Sequence, residues 1–394
     1  MRKNRKKLVA MLLTVAMLVM LLPATVFAEG TDVNAMYTDA VNVMKNTVSD
    51  EVSSTNAWVI MELARAEALT AEQANAWYTN LENTLRTQNS AKLPADSSSV
   101  PNIVTILAVT AIGKDATNVG GYNLLEPLAD LNYCTGYVTT TASALVAIDS
   151  KKYTIPTVSA GGTQTTREAL IQTILDARNT TGTWGYSYAG TDYADVDTIA
   201  MCIQALAPYY NSNADVKSAI DVGISKLSDF QADDGSFNYQ SAESAAQVIV
   251  ALGAMGIHPM TDARFIKNGC TIADGLAIQY VAGQGFKDYT GLVNMGITTV
   301  QATYGLVANN RIVNQKSSLY AMTDAVDIIQ AASEATTTEA STTTATATTA
   351  PTTAAPTTAA LDQSPATGDA APIAVFALLA VASVAGVVTI NKKH

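Results

Sequence analysis

Six stretches of the chain, 56–68, 102–113, 139–149, 197–209, 243–256 and 296–308, are rich in Ala, Val, Leu, Ile or Thr and carry apolar residues on nearly every helical face. Helices of that kind are buried on all sides. Their starts lie 37 to 58 residues apart, about one helix pair. Between them run stretches with one polar face, at 32–46, 71–88, 124–131, 167–179, 214–230 and 262–280. A one-sided apolar stripe predicts a half-buried helix. Six buried helices alternating with six half-buried ones predict an all-α fold, an α6/α6 toroid with an inner ring wrapped by an outer ring. An open solenoid also stacks helix pairs and is the competing architecture.

The pattern breaks at both ends. Residues 1–28 open with Arg2, Lys3, Arg5, Lys6 and Lys7, continue through an apolar run at 8–22 and finish on Val26-Phe27-Ala28. That order is a secretory signal peptide, so the mature chain is expected to begin at Glu29. Residues 29–333 are then the folded domain, long enough for a substantial core. The tract 334–362 is dominated by Thr, Ala and Pro, with almost no side chain large enough to build a core, and is expected to be a disordered stalk. Within 363–394, positions 371–390 carry no charge and Lys392 and Lys393 close the chain. The uncharged run has about the 20 residues that a membrane-spanning helix needs, so both termini are read as apolar helices.

Immediately before that span stands Ser364-Pro365-Ala366-Thr367-Gly368. Pentapeptide, apolar span and basic tail, in this order, resemble the LPxTG sorting signal of Gram-positive surface proteins, with Ser in place of the first Leu. The resemblance implies that a sortase cuts between Thr367 and Gly368 and joins Thr367 to peptidoglycan. The implied address is secreted and covalently attached to the cell wall, with the membrane engaged only transiently before sorting. A plain transmembrane helix is the alternative reading of the same tail.

Processing at both sites leaves 16 Lys and Arg against 33 Asp and Glu, a net charge of about -17. Such a surface repels polyanions, and no nucleic-acid partner is expected. Cys134, Cys202 and Cys270 show no CxxC spacing; one disulfide with a spare thiol and three reduced thiols both fit. Of the two histidines only His258 survives processing, so a zinc site or a histidine triad is poorly supplied, and no metal or cofactor is expected.

Three outer stretches run into a related turn. Positions 227–237 read Leu-Ser-Asp-Phe-Gln-Ala-Asp-Asp-Gly-Ser-Phe, 174–184 end on Gly182-Thr183-Trp184, and 278–286 end on Gly285-Phe286. The glycine can end the outer helix in a left-handed cap, and the aromatic can bury itself between helix pairs. This resembles the repeat shared by squalene cyclases and protein prenyltransferase β subunits, which form terpenoid cyclase-like α/α toroids. Segments 195–206 and 243–252 look like inner helices of the α domain in intrinsic factor and transcobalamin, and bacterial secreted relatives of that group are similar over most of 35–310. In the animal carriers such helix starts line the mouth where a corrinoid is held against a second, β-rich domain. A corrinoid is therefore the ligand that the resemblance implies, although no counterpart of that second domain is read after Ser333.

Asp195 and Asp197 precede or open an apolar helix, where carboxylates cap amides and meet the positive dipole end. Glu243 and Gln247 are four apart and share a helix face. With Thr198, and with Trp184, Tyr186 and Tyr193 in the preceding loop, these are the candidate ligand-binding residues: an aromatic, hydrogen-bonding mouth suited to a small organic ligand or a sugar. No catalytic residue is assigned. Asp195-Val196-Asp197-Thr198 is one carboxylate short of the DxDD acid motif of squalene-type cyclases, and only 6% of the chain is aromatic, little for a carbocation cavity. The expected role is a ligand-binding or display module at the cell surface. Two alternatives stand: an adhesin with a protein partner, and a toroid enzyme, terpenoid cyclase-like or a polysaccharide lyase or glycosidase, with Asp195 or Asp197 and Glu243 as acid and base.

Overall fold

Helical periodicity governs the architecture throughout. The computed structural model describes residues 31–93 and 98–334, and all of these belong to one compact unit. The expected signal peptide (1–28), the expected stalk (334–362) beyond Glu334, the pentapeptide 364–368 and the apolar span 371–390 lie outside the described residues. In chain order the helices are α1 (Val33–Lys45), α2 (Ser54–Arg65), α3 (Ala71–Gln88), α4 (Val100–Ala111), the single turn α5 (Leu131–Cys134), α6 (Val138–Asp149) and α7 (Arg167–Asp176). They continue as α8 (Val196–Leu206), α9 (Ala214–Phe230), α10 (Ala242–Ala254), the short α11 (Ile272–Ala277) and α12 (Thr298–Val313). Two small antiparallel hairpins interrupt them, β1 (Gly185–Tyr188) with β2 (Thr191–Ala194) and β3 (Tyr280–Val281) with β4 (Gly285–Phe286). The protein is thus mainly α-helical. None of the helices among the described residues is long and apolar enough to cross a membrane.

The six wholly apolar stretches form α2, α4, α6, α8, α10 and α12, and these helices neighbour one another in succession: α2 packs on α4, α4 on α6, α6 on α8, α8 on α10, α10 on α12, and α12 on α2. The amphipathic helices sit against them, α1 on α2 and α12, α7 on α6, α9 on α8 and α11 on α10. Polar side chains fix where several of them begin. Ser53, Thr166, Asp195, Asn213 and Ser241 each accept a hydrogen bond from an amide of the first turn that follows. Glu243 at the head of α10 accepts from Thr298 at the head of α12, and Arg311 near the end of α12 donates to the Arg65 carbonyl at the end of α2. The starts of α10 and α12 therefore share one end of the molecule, and the ends of α12 and α2 share the other.

Two of the six half-buried helices are largely absent. In 124–131, Pro127 lacks the N–H that a continuing helix needs; a 3-10 turn forms at Pro127–Ala129, and Asp130 caps the separate turn α5. In 262–280, a tight turn with left-handed Asn268 and Gly269 bridges Lys267 to Cys270, and only after Thr271 and Asp274 form a capping box does α11 begin. The repeat glycines are left-handed but do not cap the outer helices: α9 ends at Phe230, and Gly235 lies five residues on in the following turn. A Cβ on Gly235 would stand 2.0 Å from the Thr271 carbonyl oxygen, so glycine is required by close approach to the next repeat. Trp184, Phe237 and Phe286 of the three turns are all fully buried. Gln231 braces the fullest copy, donating to the carbonyls of Gly235 and Phe265.

A terminal strap, residues 315–330, crosses the ends of the inner helices. Met322 N–H donates to the Ser150 carbonyl past α6, Ile328 N–H to Ile112 past α4, and Lys114 pairs with Asp327 at 2.7 Å. Two buried arginines hold it. Arg65 donates to the Leu319 carbonyl at 2.9 Å and Ser317 Oγ at 2.8 Å, and meets Asp324 at 2.8 Å; Arg311 donates to the Ser317 carbonyl and meets the other Asp324 oxygen at 2.7 Å. Those contacts hold the Asp324 carboxyl down at about 2 against the opposing effect of burial.

Candidate functional site

The chemistry gathers where α8, α10 and α12 begin. Asp195 is the N-cap of α8, accepting from the Thr198 amide at 2.8 Å and its hydroxyl at 2.6 Å. Asp197, two residues on, turns inward: Oδ1 is buried and meets no hydrogen-bond partner. Burial pushes its carboxyl up to about 7, the charges of Asp195 and Glu243 add to the rise, and the Ser244 hydroxyl opposes it. Asp197 nevertheless keeps part of its surface accessible.

Below it, polar side chains link three helices. Gln204 of α8 donates to Gln247 Oε1 at 2.9 Å; Gln247 of α10 donates to Gln301 Oε1 at 3.1 Å and to the Tyr304 hydroxyl; Tyr304 of α12 donates to Gln301 at 3.1 Å. Glu243 accepts from Ser241 at 2.9 Å and from Thr298. Deeper still, the Tyr304 ring lies 5.6 Å from that of Trp58 on α2, and Trp58 lies 6.4 Å from Tyr320, which the strap inserts. Burial raises the Tyr304 phenol well above its usual range, with Tyr320, Asp197, Glu62 and Glu243 adding to it. Glu62, one turn along α2 from Trp58, is fully buried and both its carboxylate oxygens lack a partner. Burial alone drives its carboxyl far up.

The expected residues divide. Asp195, Asp197, Thr198, Glu243 and Gln247 come together at this end of the inner helices. Trp184 does not: it is fully buried and its indole N–H donates to the Ile174 carbonyl at 2.7 Å, which makes it part of the cross-brace between α7 and α8 and corrects its assignment to the mouth. Tyr186 and Tyr193 face each other across the β1–β2 hairpin, stacked at 5.3 Å, on the loop entering α8. Other tyrosines on loops that precede inner helices are exposed as well. Tyr137 before α6, Tyr239 before α10 and Tyr289 before α12 are all strongly exposed. Tyr239 is presented by three consecutive left-handed residues, Asn238, Tyr239 and Gln240, a strained turn for non-glycine residues.

Sequence reasoning missed Glu62, Trp58, Gln204, Gln301, Tyr304 and Tyr320. A signal was available for the first pair: Glu62 stands in the middle of the apolar stretch 56–68, four residues after Trp58 and so on the same face. Tyr320 gave none, because the strap has no periodicity. The thiols are free. Cys134 and Cys202 are buried, and burial raises Cys134 to about 12 and Cys202 well above the usual range, which leaves both unreactive. No group of three or more His, Cys, Asp or Glu among the described residues could hold a metal ion. An open surface depression of about 410 Å³ lies elsewhere, along 152–155 and 164–168, where Arg167 is already bound by Asp149 and the Tyr153 carbonyl. No family model matches the chain, and no curated protein matches it.

Proposed function

We propose that the chain is a secreted, wall-anchored surface protein whose helical domain is an α6/α6 toroid that captures a small organic ligand at the end where its inner helices start. Closure of the toroid is supported by the succession of inner-helix contacts that returns from α12 to α2. The observation that carries capture is Asp197: a carboxylate oxygen buried without a partner at the head of an inner helix, with exposed tyrosines on the loops before several of these helices. Leaving such a group unpaired costs about 1–3 kcal/mol, a cost that a ligand hydrogen bond would remove. The toroid repeat of squalene cyclases and prenyltransferases, and the α domain of intrinsic factor and transcobalamin, supply the architectural precedent. A corrinoid remains one ligand to test.

The decisive measurement is a thermal-shift screen of the processed chain against corrinoids, glycans, isoprenoids and small organic ions. A ligand that binds only the folded state raises its melting temperature with concentration. Capture predicts a shift with the native protein that Asp197→Asn weakens; an unchanged melting temperature across every class would overturn it. The exposed tyrosines favour a second reading, adhesion to a protein partner, in which Tyr239→Ser abolishes binding and Asp197→Asn leaves it intact. Wall attachment through Ser364 to Gly368 is tested by mass spectrometry of the cell-wall fraction. The expected product ends at Thr367 linked to peptidoglycan, and a chain retaining Lys392 and Lys393 in the membrane would instead establish a transmembrane anchor.

A further inference from the structure

Three aromatic rings gather beside one buried carboxyl where α2, α12 and the strap meet. Trp58 contacts Tyr304 and Tyr320 at centroid distances of 5.6 and 6.4 Å, tilted at 36° and 57°, so the rings are splayed rather than stacked flat. Trp58 and Tyr320 keep part of their surface accessible, although Tyr320 lies deep enough for burial to be the largest cause raising its phenol. Tyr304 itself is buried, so any approach to the cluster runs past Trp58 and Tyr320. Glu62 lies within electrostatic reach of both phenols, and its two oxygens are the most enclosed unpartnered polar atoms on α2. Asp197 adds a second carboxyl with an unpartnered oxygen. The nearby arginines do not serve these acids, since Arg65 and Arg311 are both engaged by Asp324 and by strap carbonyls. The side chains hydrogen-bonded to Tyr304 are neutral glutamines.

Resting on the capture reading above, we infer that the ligand is an organic ammonium cation, its positive group enclosed by Trp58, Tyr304 and Tyr320 and paired with Glu62. The warrant is chemical. Aromatic faces attract a cation that lies within about 6 Å of the ring centroid, most strongly when water is excluded. A buried carboxylate without a partner is costly to ionise, and a cation is the group that reverses that cost. An anionic or neutral ligand would leave Glu62 as it is. A quaternary ammonium suits such a cluster better than a hydrated metal ion, because it carries its charge in a methylated shell that rings can contact, whereas a small metal ion needs several oxygen ligands that are not gathered there.

The test is calorimetric titration of the processed chain with tetramethylammonium and choline, alongside 3,3-dimethylbutanol, the uncharged analogue of choline. Choline should bind at least roughly tenfold more tightly than the alcohol, and Glu62→Gln and Trp58→Leu should each weaken it roughly tenfold or more. Glu62→Gln removes an unpartnered buried carboxyl and keeps the side-chain volume, so it should stay folded, which its melting curve checks. Equal binding of choline and dimethylbutanol would overturn the cationic class while leaving capture in place. So would binding of another ligand class with neither ammonium ion bound. Choline binding undiminished in both variants would place the site elsewhere and overturn the assignment. Absence of binding by any class would remove the inference together with the reading on which it rests.

Discussion

Glu62 and Arg65 stand three residues apart on α2, both buried, and the protein treats them in opposite ways. Arg65 is 4% exposed and makes five hydrogen bonds, two of them to side chains and three to carbonyls of the strap. Glu62 is wholly enclosed and makes none. A guanidinium surrounded by carbonyls and a carboxylate is fully accounted for by folding: it fastens the strap across the ends of α2 and α12. A carboxylate with two empty acceptors adds nothing to folding and detracts from it. On the capture reading the neighbouring pair separates what holds the molecule together from what is kept for a ligand, and each change below tests one side of that contrast.

The largest effect belongs to Arg65. Arg65→Met should lower stability by about 3 kcal/mol and the melting temperature by roughly 6 °C or more, because Asp324 and the strap carbonyls lose a charged donor. Thermal or denaturant unfolding reads this directly. A loss below about 1 kcal/mol would mean that the strap is held by its backbone bonds to Ser150 and Ile112 and that the contrast with Glu62 is empty.

Next comes the pH dependence. Glu62 and Asp197 have folded-state pKa values above their unfolded ones, Asp197 at about 7, so the folded protein holds more protons than the unfolded chain above pH 4.5. Stability should therefore fall as pH rises from 5 to 7.5, by about 2–3 kcal/mol from Asp197 alone, with Glu62 adding to it. The depressed carboxyls, Asp324 among them, titrate lower and do not mask this window. Unfolding curves of the native protein and of Glu62→Gln with Asp197→Asn decide the matter: the slope should vanish in the double variant, and a flat native profile would show that neither acid is truly desolvated. At pH 7.5 Glu62→Gln alone should raise stability by about 1 kcal/mol, opposite in sign to Arg65→Met.

The sequence carried the helices further than the site. Apolar residues on every face of 56–68, 197–209 and 243–256 identify buried helices because burial on all sides leaves no other composition open, and α2, α8 and α10 lie there. The shortened stretches failed where local chemistry overrode periodicity, at Pro127 and at the left-handed turn Asn268-Gly269. Within the site, Asp195, Asp197, Glu243 and Gln247 were legible because capping and four-residue spacing are local rules. Trp184 was misassigned because an aromatic after a glycine turn reads the same whether it faces a mouth or a neighbouring helix. Tyr304 and Tyr320 reach Trp58 from more than 240 positions away, a convergence set by how the chain returns to α2 and by no local pattern.

The smallest of these effects tests whether the polar network belongs to folding or to the proposed ligand site. Tyr304→Phe keeps the ring against Trp58 and removes only the hydroxyl that accepts from Gln247 and donates to Gln301. Gln247 retains Gln301 as an acceptor for its amide and Gln204 as a donor to its oxygen, so the network is loosened rather than broken. The expected cost is about 0.5–1 kcal/mol, the ordinary net value of one hydrogen bond. A loss near 3 kcal/mol would place the hydroxyl with Arg65, as a fastening that the fold depends on. If the cost is small and choline affinity is unchanged, the ring alone faces the cation. A small cost with an altered affinity would show that the glutamine network sets the position of that ring, and so would extend the ligand side of the contrast from α2 to α8, α10 and α12.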